Sequence, residues 1–333
     1  MLINEFNGLN IIIDKKLELM LAIHAVYKKN NLEANEELEF IETPPVEYFG
    51  QLEQLINSVE HQDLIDSILG FKDESTCVQI ALGLNNNYEI DKNRIRYDNI
   101  EKYLEKVNLD NFVEKFKDFA KKTNWDNFFD EHRNFYQKLF LTFCDFPENL
   151  NLNDIENFYG KKGTSYNYIP SILMNGGFAH EDKLGNLYYI RGIQWNNEKN
   201  KFYYDKEYLL ECLFHEFSHP HVNALVDKNI VLFTNLAELH REAIDHNLPK
   251  TYSSNSNILL YEYFVRANAN ILTRKYYSDA KIDDWILVHG FQYLNIIIEY
   301  TIQNMSKYKD YEEFFTREMI PFMNDILKND KKS

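Results

Sequence analysis

The sequence predicts an α+β fold that is predominantly α-helical, with a small sheet set into it and a helical amino-terminal region. Three observations carry that expectation. First, 24 Phe and 23 Tyr stand against only 11 Gly and 7 Pro, a composition that suits long helices with aromatic packing faces and leaves few residues for the turns of a sandwich. Second, apolar residues recur at helical spacing over most of the length. Third, Gly160, Gly163, Gly176, Gly177, Gly185 and Gly192 crowd more than half of the glycines into one stretch where β-forming residues replace the helical pattern.

Taken in chain order, Leu17, Met20, Leu21 and Ile23 mark a helix over about Lys15 to Ala34. Pro44-Pro45 forces an extended break, and a second helix is expected from about Val46 to Leu69. Phe112, Phe116 and Phe119 lie at i, i+4 and i+7, and Phe128, Phe129, Phe135, Tyr136, Leu139, Phe140 and Phe143 continue the stripe. Burial against neighbouring helices explains such a stripe without a cofactor. Between residues 160 and 204 a small mixed or antiparallel sheet is expected, with Gly185-Asn186 as a turn and Leu187 to Ile193 as a strand. Helices resume after Asp205, interrupted by polar loops near Asn247 to Asn257 and Ser278 to Asp284. This divides the chain at about residue 150 into a helical region, 1–150, and a second region, 151–333; one continuous compact unit fits the same pattern.

Charge narrows the function classes. Lys and Arg total 36 against 52 Asp and Glu, a net −16, so the summed field repels phosphate backbones and anionic lipid, and no nucleic-acid partner is expected. Cys77, Cys144 and Cys212 are odd in number and lack Cys-x-x-Cys spacing, so they supply neither a disulfide framework nor a thiolate zinc site. Asn4, Glu5, Asp14, Lys15 and Lys16 interrupt the first twenty residues, which do not read as a secretory leader, and no transmembrane segment is expected. A reducing, cytoplasmic setting is the preferred expectation, and a mature chain whose leader was removed fits as well.

The chemistry is concentrated at His215-Glu216-Phe217-Ser218-His219, a His-Glu-x-x-His pattern that follows the apolar helical run Tyr208 to Phe214. Four residues along a helix return to the same face, so both imidazoles can meet one zinc ion while Glu216 reaches the water bound to it. Zinc lowers the pKa of that water from about 16 toward about 7, and the carboxylate takes its proton and can return it to a leaving amine. With 10 histidines in 333 residues, chance supplies the pattern in on the order of one chain in fifty, before any helical context is required. Lone His24, His61, His132 and His246 have nothing nearby to complete a site.

A third protein ligand is needed, with one position left open. Val222 and Leu225 stand where a metzincin has Gly and His, which removes that class. His221 is about 200° round the helix from His219 and faces away if the helix continues. Glu262 is the carboxylate inside the apolar run Ile258 to Ala267, with Arg266 one turn on as an ion-pair or orienting partner. Glu238 and Glu242, in a more polar segment, are its rivals. Pro220, directly after His219, is expected to end or kink the active helix, which then spans about 206–219, with the ligand helix at about 257–275.

These residues resemble a gluzincin, the metallopeptidase clan in which a Glu from a later helix completes the zinc site. More narrowly, His-Glu-Phe-Ser-His with Val222-Asn223, Tyr261 to Ala267, and Asn175-Gly176-Gly177 resemble an uncharacterised bacterial family of gluzincin-like domains, over most of the chain. The resemblance implies a zincin-like catalytic region with one Zn²⁺, held by His215, His219 and Glu262, with Glu216 as catalytic base. It also implies a peptide or protein substrate laid along an exposed strand, for which Asn175, Gly176 and Gly177 are the candidates; an ordinary hairpin turn accounts for the two glycines equally well. His289, Tyr293 and Arg266 are candidates for stabilising an oxyanion, although a structural role suits His289 as well. The reading is a zinc metallopeptidase; a peptide-binding or scaffold protein with a vestigial metal site is the alternative, and hydrolysis of a non-peptide amide would use the same water.

Overall fold

The structure is a computed structural model that describes residues 1–31, 45–70, 74–95, 108–142, 146–161, 165–174, 176–196, 198–199, 201–203, 205–245, 248, 255–280 and 291–330. The fold is α+β and mainly helical, with a five-stranded mixed sheet and a two-stranded one. Two compact units emerge: Met1–Phe146 with Gly163–Tyr204, and Pro147–Lys162 with Asp205–Ser333. This grouping departs from a division at residue 150, because the central strands join the amino-terminal residues.

In the first unit, β1 (Leu2–Phe6) and β2 (Leu9–Ile13) form an antiparallel hairpin, where the sequence reading had only a helical region. Asn7 and Gly8 both have positive φ, 49° and 84°, the geometry of a tight two-residue hairpin turn that Asn-Gly favours. β2 runs parallel to β3 (Ser165–Ser171), pairing Leu9 with Tyr166, and β3 runs parallel to β5 (Asn186–Gly192). β4 (Gly177–Glu181) closes the order β1-β2-β3-β5-β4 as an antiparallel edge. Strand β3 is buried along nearly its whole length, as a central strand covered on both faces must be. β6 (Gln194–Asn196) and β7 (Lys201–Tyr203) pair separately, stacking Trp195 on Phe202.

Helix α1 (Lys15–Asn31) starts where the Asp14 side chain accepts a hydrogen bond from the Lys16 amide at 2.9 Å, and it buries Leu17, Leu19, Met20, Ala22 and Ile23 completely. The single helix expected from Val46 to Leu69 is two, α2 (Val46–Asn57) and α3 (Gln62–Gly70). Ser58 ends the first by donating from both its amide and its hydroxyl to the Leu55 carbonyl, so the chain turns before His61. After α4 (Glu74–Leu82), α5 (Leu109–Lys122) buries Phe112, Phe116 and Phe119 on one stripe, and α6 (Trp125–Glu131) and α7 (Arg133–Thr142) bury Phe128, Phe129, Tyr136 and Leu139. These members of the aromatic stripe are core, Phe135 and Phe140 are half-buried, and Phe143 lies outside the described residues.

The second unit is helical: α8 (Asn153–Tyr159), α9 (Lys206–Asn229), α10 (Leu236–Asp245), α11 (Ser256–Thr273), α12 (Leu294–Asn304), α13 (Tyr311–Phe314), a π-helical turn (Phe315–Met319) and α14 (Ile320–Asp330). Helix α9 packs on α11, and α11 on α12. Among the described residues no helix is long and apolar enough to cross a membrane.

Candidate metal centre

The Asp205 carboxylate caps α9 by accepting the Tyr208 amide at 2.9 Å. The helix then buries Leu209, Leu210, Leu213, Phe214 and Phe217, leaving His215, Glu216 and His219 half-buried on one strip. The expectation that the active helix spans only about 206–219 needs correction: α9 continues to Asn229 with Pro220 inside it. An interior proline costs about 3 kcal/mol by withholding its hydrogen bond from the carbonyl four residues back. Val222, Leu225 and Val226, each worth roughly 1.5–3 kcal/mol when buried, outweigh that cost. Because the helix continues, His221 points away as the angle of about 200° requires, and stacks on Tyr159 with ring centroids 4.5 Å apart.

Helix α11 begins at Asn255, whose side chain accepts the Asn257 amide at 2.8 Å. Its run of buried residues carries Glu262 with it into the interior. The geometry is then explicit. His215 Nε2 and His219 Nε2 are 3.1 Å apart. Glu262 straddles them, Oε2 3.7 Å from His215 Nε2 and Oε1 3.7 Å from His219 Nε2. With zinc–nitrogen distances of about 2.0–2.1 Å and zinc–oxygen distances of about 2.0–2.2 Å, a tetrahedral shell has ligand–ligand edges of roughly 3.3–3.5 Å. The His215–His219 separation is close to such an edge, and each imidazole has a Glu262 oxygen at 3.7 Å, a different one for each ring, so the carboxylate stands beside both nitrogens and a small turn of it would offer one oxygen to an ion held between them.

A second carboxylate is close. One oxygen of Glu216 and the nearest ring nitrogens of His215 and His219 lie within 4.8 Å of one another. Two observations favour Glu262 as the ligand. Its Oε2 is buried without a properly oriented hydrogen bond, although Arg266 Nη2 approaches to 2.8 Å, so a lone pair is left over in a place where water is scarce. It also faces each imidazole with a separate oxygen, whereas Glu216 is partly open to solvent.

The surroundings set the charge states. Burial pulls the His215 imidazole well below its usual range, and the neighbouring His219 and Arg266 push the same way, so His215 is neutral, the form that ligates. Arg266 lies 5.1 Å from the Phe291 ring centre. His219 Nδ1 is 3.3 Å from Asn223 Oδ1, a contact the sequence reading did not identify, although the i, i+4 spacing from His219 announces it.

The other candidates separate. Glu238 sits 3.1 Å from Arg241 on its own helix, and the Glu242 side chain lies outside the described residues. His289 and Asn175 lie outside the described residues too. Gly176, with φ +67°, precedes β4, and Gly177 starts that edge strand; a Cβ on Gly177 would meet the Tyr189 ring at 2.8 Å and the Ile190 carbonyl at 3.0 Å, so packing within its own sheet accounts for the glycine.

The family model for a domain of unknown function, DUF4932, matches residues 10–321. The chain belongs to the DUF4932 family. No curated protein and no solved structure matches it. The DUF4932 match takes in both helices of the candidate centre, α9 and α11, and the resemblance to an uncharacterised family holds at that level.

Proposed function

We propose that this DUF4932 protein is a zinc-dependent hydrolase of peptide bonds, with a zincin-like second unit. The observation that carries the reading is the meeting of His215, His219 and Glu262 from two helices at 3.1, 3.7 and 3.7 Å. A zinc ion held by them would supply a Lewis acid for the carbonyl and lower the pKa of water to about 7. The residues do the rest. His215 and His219 offer imidazole nitrogens from one helical face, and Glu262 offers a carboxylate oxygen from a second helix, a donor set suited to a dication. Arg266 pairs at 2.8 Å with Oε2 of Glu262, the oxygen beside His215, and restrains the carboxylate there. Glu216, next to His215 and partly exposed, accepts a proton from the attacking water and hands it to the leaving amine.

The test compares wild type with Glu216→Gln and Glu262→Gln in zinc content and in cleavage of a peptide library. Glu216→Gln should keep its zinc and lose about 10²–10⁴-fold in rate, the contribution of a positioned general base. Glu262→Gln should lose zinc. Peptide recovered intact from zinc-loaded wild type would instead mark a binding protein.

A further inference from the structure

We propose that Asn223 is the positioning residue that locks His219 into the tautomer able to hold a metal. The inference deepens the proposed function and rests on its assignment of His219 as a ligand. A neutral imidazole carries one proton, on Nδ1 or on Nε2, and only the nitrogen without it has a lone pair to offer. His219 Nε2 is the atom that faces His215 Nε2 at 3.1 Å and Glu262 Oε1 at 3.7 Å, so it is the nitrogen placed to ligate, and to hold a metal it must be bare with the proton on Nδ1. Asn223 Oδ1 stands 3.3 Å from Nδ1, where it accepts a hydrogen bond from an Nδ1–H. With the proton on Nε2 instead, the Nδ1 lone pair would face the amide oxygen, and Asn223 would have to give up this placement and turn its Nδ2 toward the ring.

The device is built into one helix. His215, His219 and Asn223 recur at four-residue spacing on α9, so they form a ladder up a single face. His215 meets His219, and His219 meets Asn223. The ladder needs the helix to extend past His219, which is why the continuation of α9 through Pro220 to Asn229 matters for the centre: a helix ended at its second ligand would have no place for Asn223. Arg266 performs the matching task for Glu262 from α11, so each helix orients its own donor one turn farther along the chain.

The experiment measures zinc affinity by chelator competition and the His219 tautomer by long-range ¹H–¹⁵N NMR, in the full chain. Wild type should carry the His219 proton on Nδ1, Asn223→Leu should show proton occupancy at Nε2 and bind zinc about 10–100-fold more weakly, and Asn223→Asp, which restores an acceptor, should recover both readouts. Equal zinc affinity in wild type and Asn223→Leu would overturn the proposal, and so would an Nε2 proton on His219 in wild type, a measurement that needs no variant to fold. A wild type that refuses zinc while His219 keeps its proton on Nδ1 sinks the proposed function and leaves the tautomer lock standing.

Discussion

His219 and His221 are two residues apart on α9 and occupy opposite worlds. His219 faces another imidazole and a carboxylate; His221 is buried against Tyr159 with no hydrogen-bond partner at Nε2. Burial, with the nearby Lys161 adding to it, depresses His221 to about 4. A base with a depressed folded value favours the native state above its unfolded pKa of about 6.5, and that stability drains away as pH falls toward 4. The gap corresponds to about 3 kcal/mol. His221→Phe keeps the stacking surface and removes the titration. Urea midpoints at pH 7 and pH 4.5 should therefore differ less in the variant than in wild type; an unchanged difference would show that His221 plays no part in acid sensitivity. Angular spacing alone separated the two histidines in the sequence. Glu262 and Arg266 were legible for a related reason, since charges inside so apolar a run need partners. Asn223 was passed over because an amide one turn beyond a ligand resembles any surface polar residue until the helix is known to continue.

At the scale of elements, the sequence rules failed where they were most local. Proline disfavours helix at its own position and at the residue before it, and from that rule α9 should stop at His219. The rule describes an isolated chain, whereas the burial of Val222, Leu225 and Val226 against the rest of the unit decides the folded one. The proline cost is therefore still stored in the native helix. Pro220→Ala restores an N–H four residues beyond Glu216 and gains helix propensity, offset in part by the greater freedom of the unfolded chain. The expected result is a stabilisation of about 1–2 kcal/mol, read as a rise in urea midpoint at matched zinc concentration. Destabilisation would mean that the helix depends on proline for its path. The break between α2 and α3 escaped notice for the converse reason: Ser58 and His61 carry no strong breaker, and the turn depends on hydrogen bonds to Leu55 that no periodicity records.

For the whole molecule, the sheet was legible only in part. Residues 160–204 announced their strands through composition, and Asn7-Gly8 carried a hairpin signal that a reading weighted toward helices passed over. What no local pattern encodes is that β2 inserts beside β3, bringing the Asn10 side chain to 3.1 Å from that of Asn167. The insertion also buries the start of α1, where Asp14 and Lys16 pair at 2.6 Å and Glu18 lies beside them with only 2% of its surface exposed. Burial raises Glu18 to about 8, opposed by a hydrogen bond from Ser171 and reinforced by Asp14. An acid with a raised folded value contributes fully below its unfolded pKa of about 4.5 and loses that contribution as pH climbs to about 8, by up to roughly 5 kcal/mol. The sign is opposite to that of His221, and the two groups belong to different units. Raising the pH from 5 to 8 should therefore weaken the first unit while the second, through His221, regains the stability it loses toward acid. Hydrogen-exchange protection factors, corrected for intrinsic rates, should fall over that range for amides of Met1–Phe146 and Gly163–Tyr204 more than for those of Asp205–Ser333. Glu18→Gln removes the titrating proton, so its protection should be level across the range and exceed that of wild type increasingly toward pH 8. The repulsion from the net charge of −16 acts on both proteins almost equally and cancels in the comparison. A wild-type and variant pair that track each other at every pH would show that Glu18 keeps an ordinary carboxyl and that the strand insertion leaves it open to water.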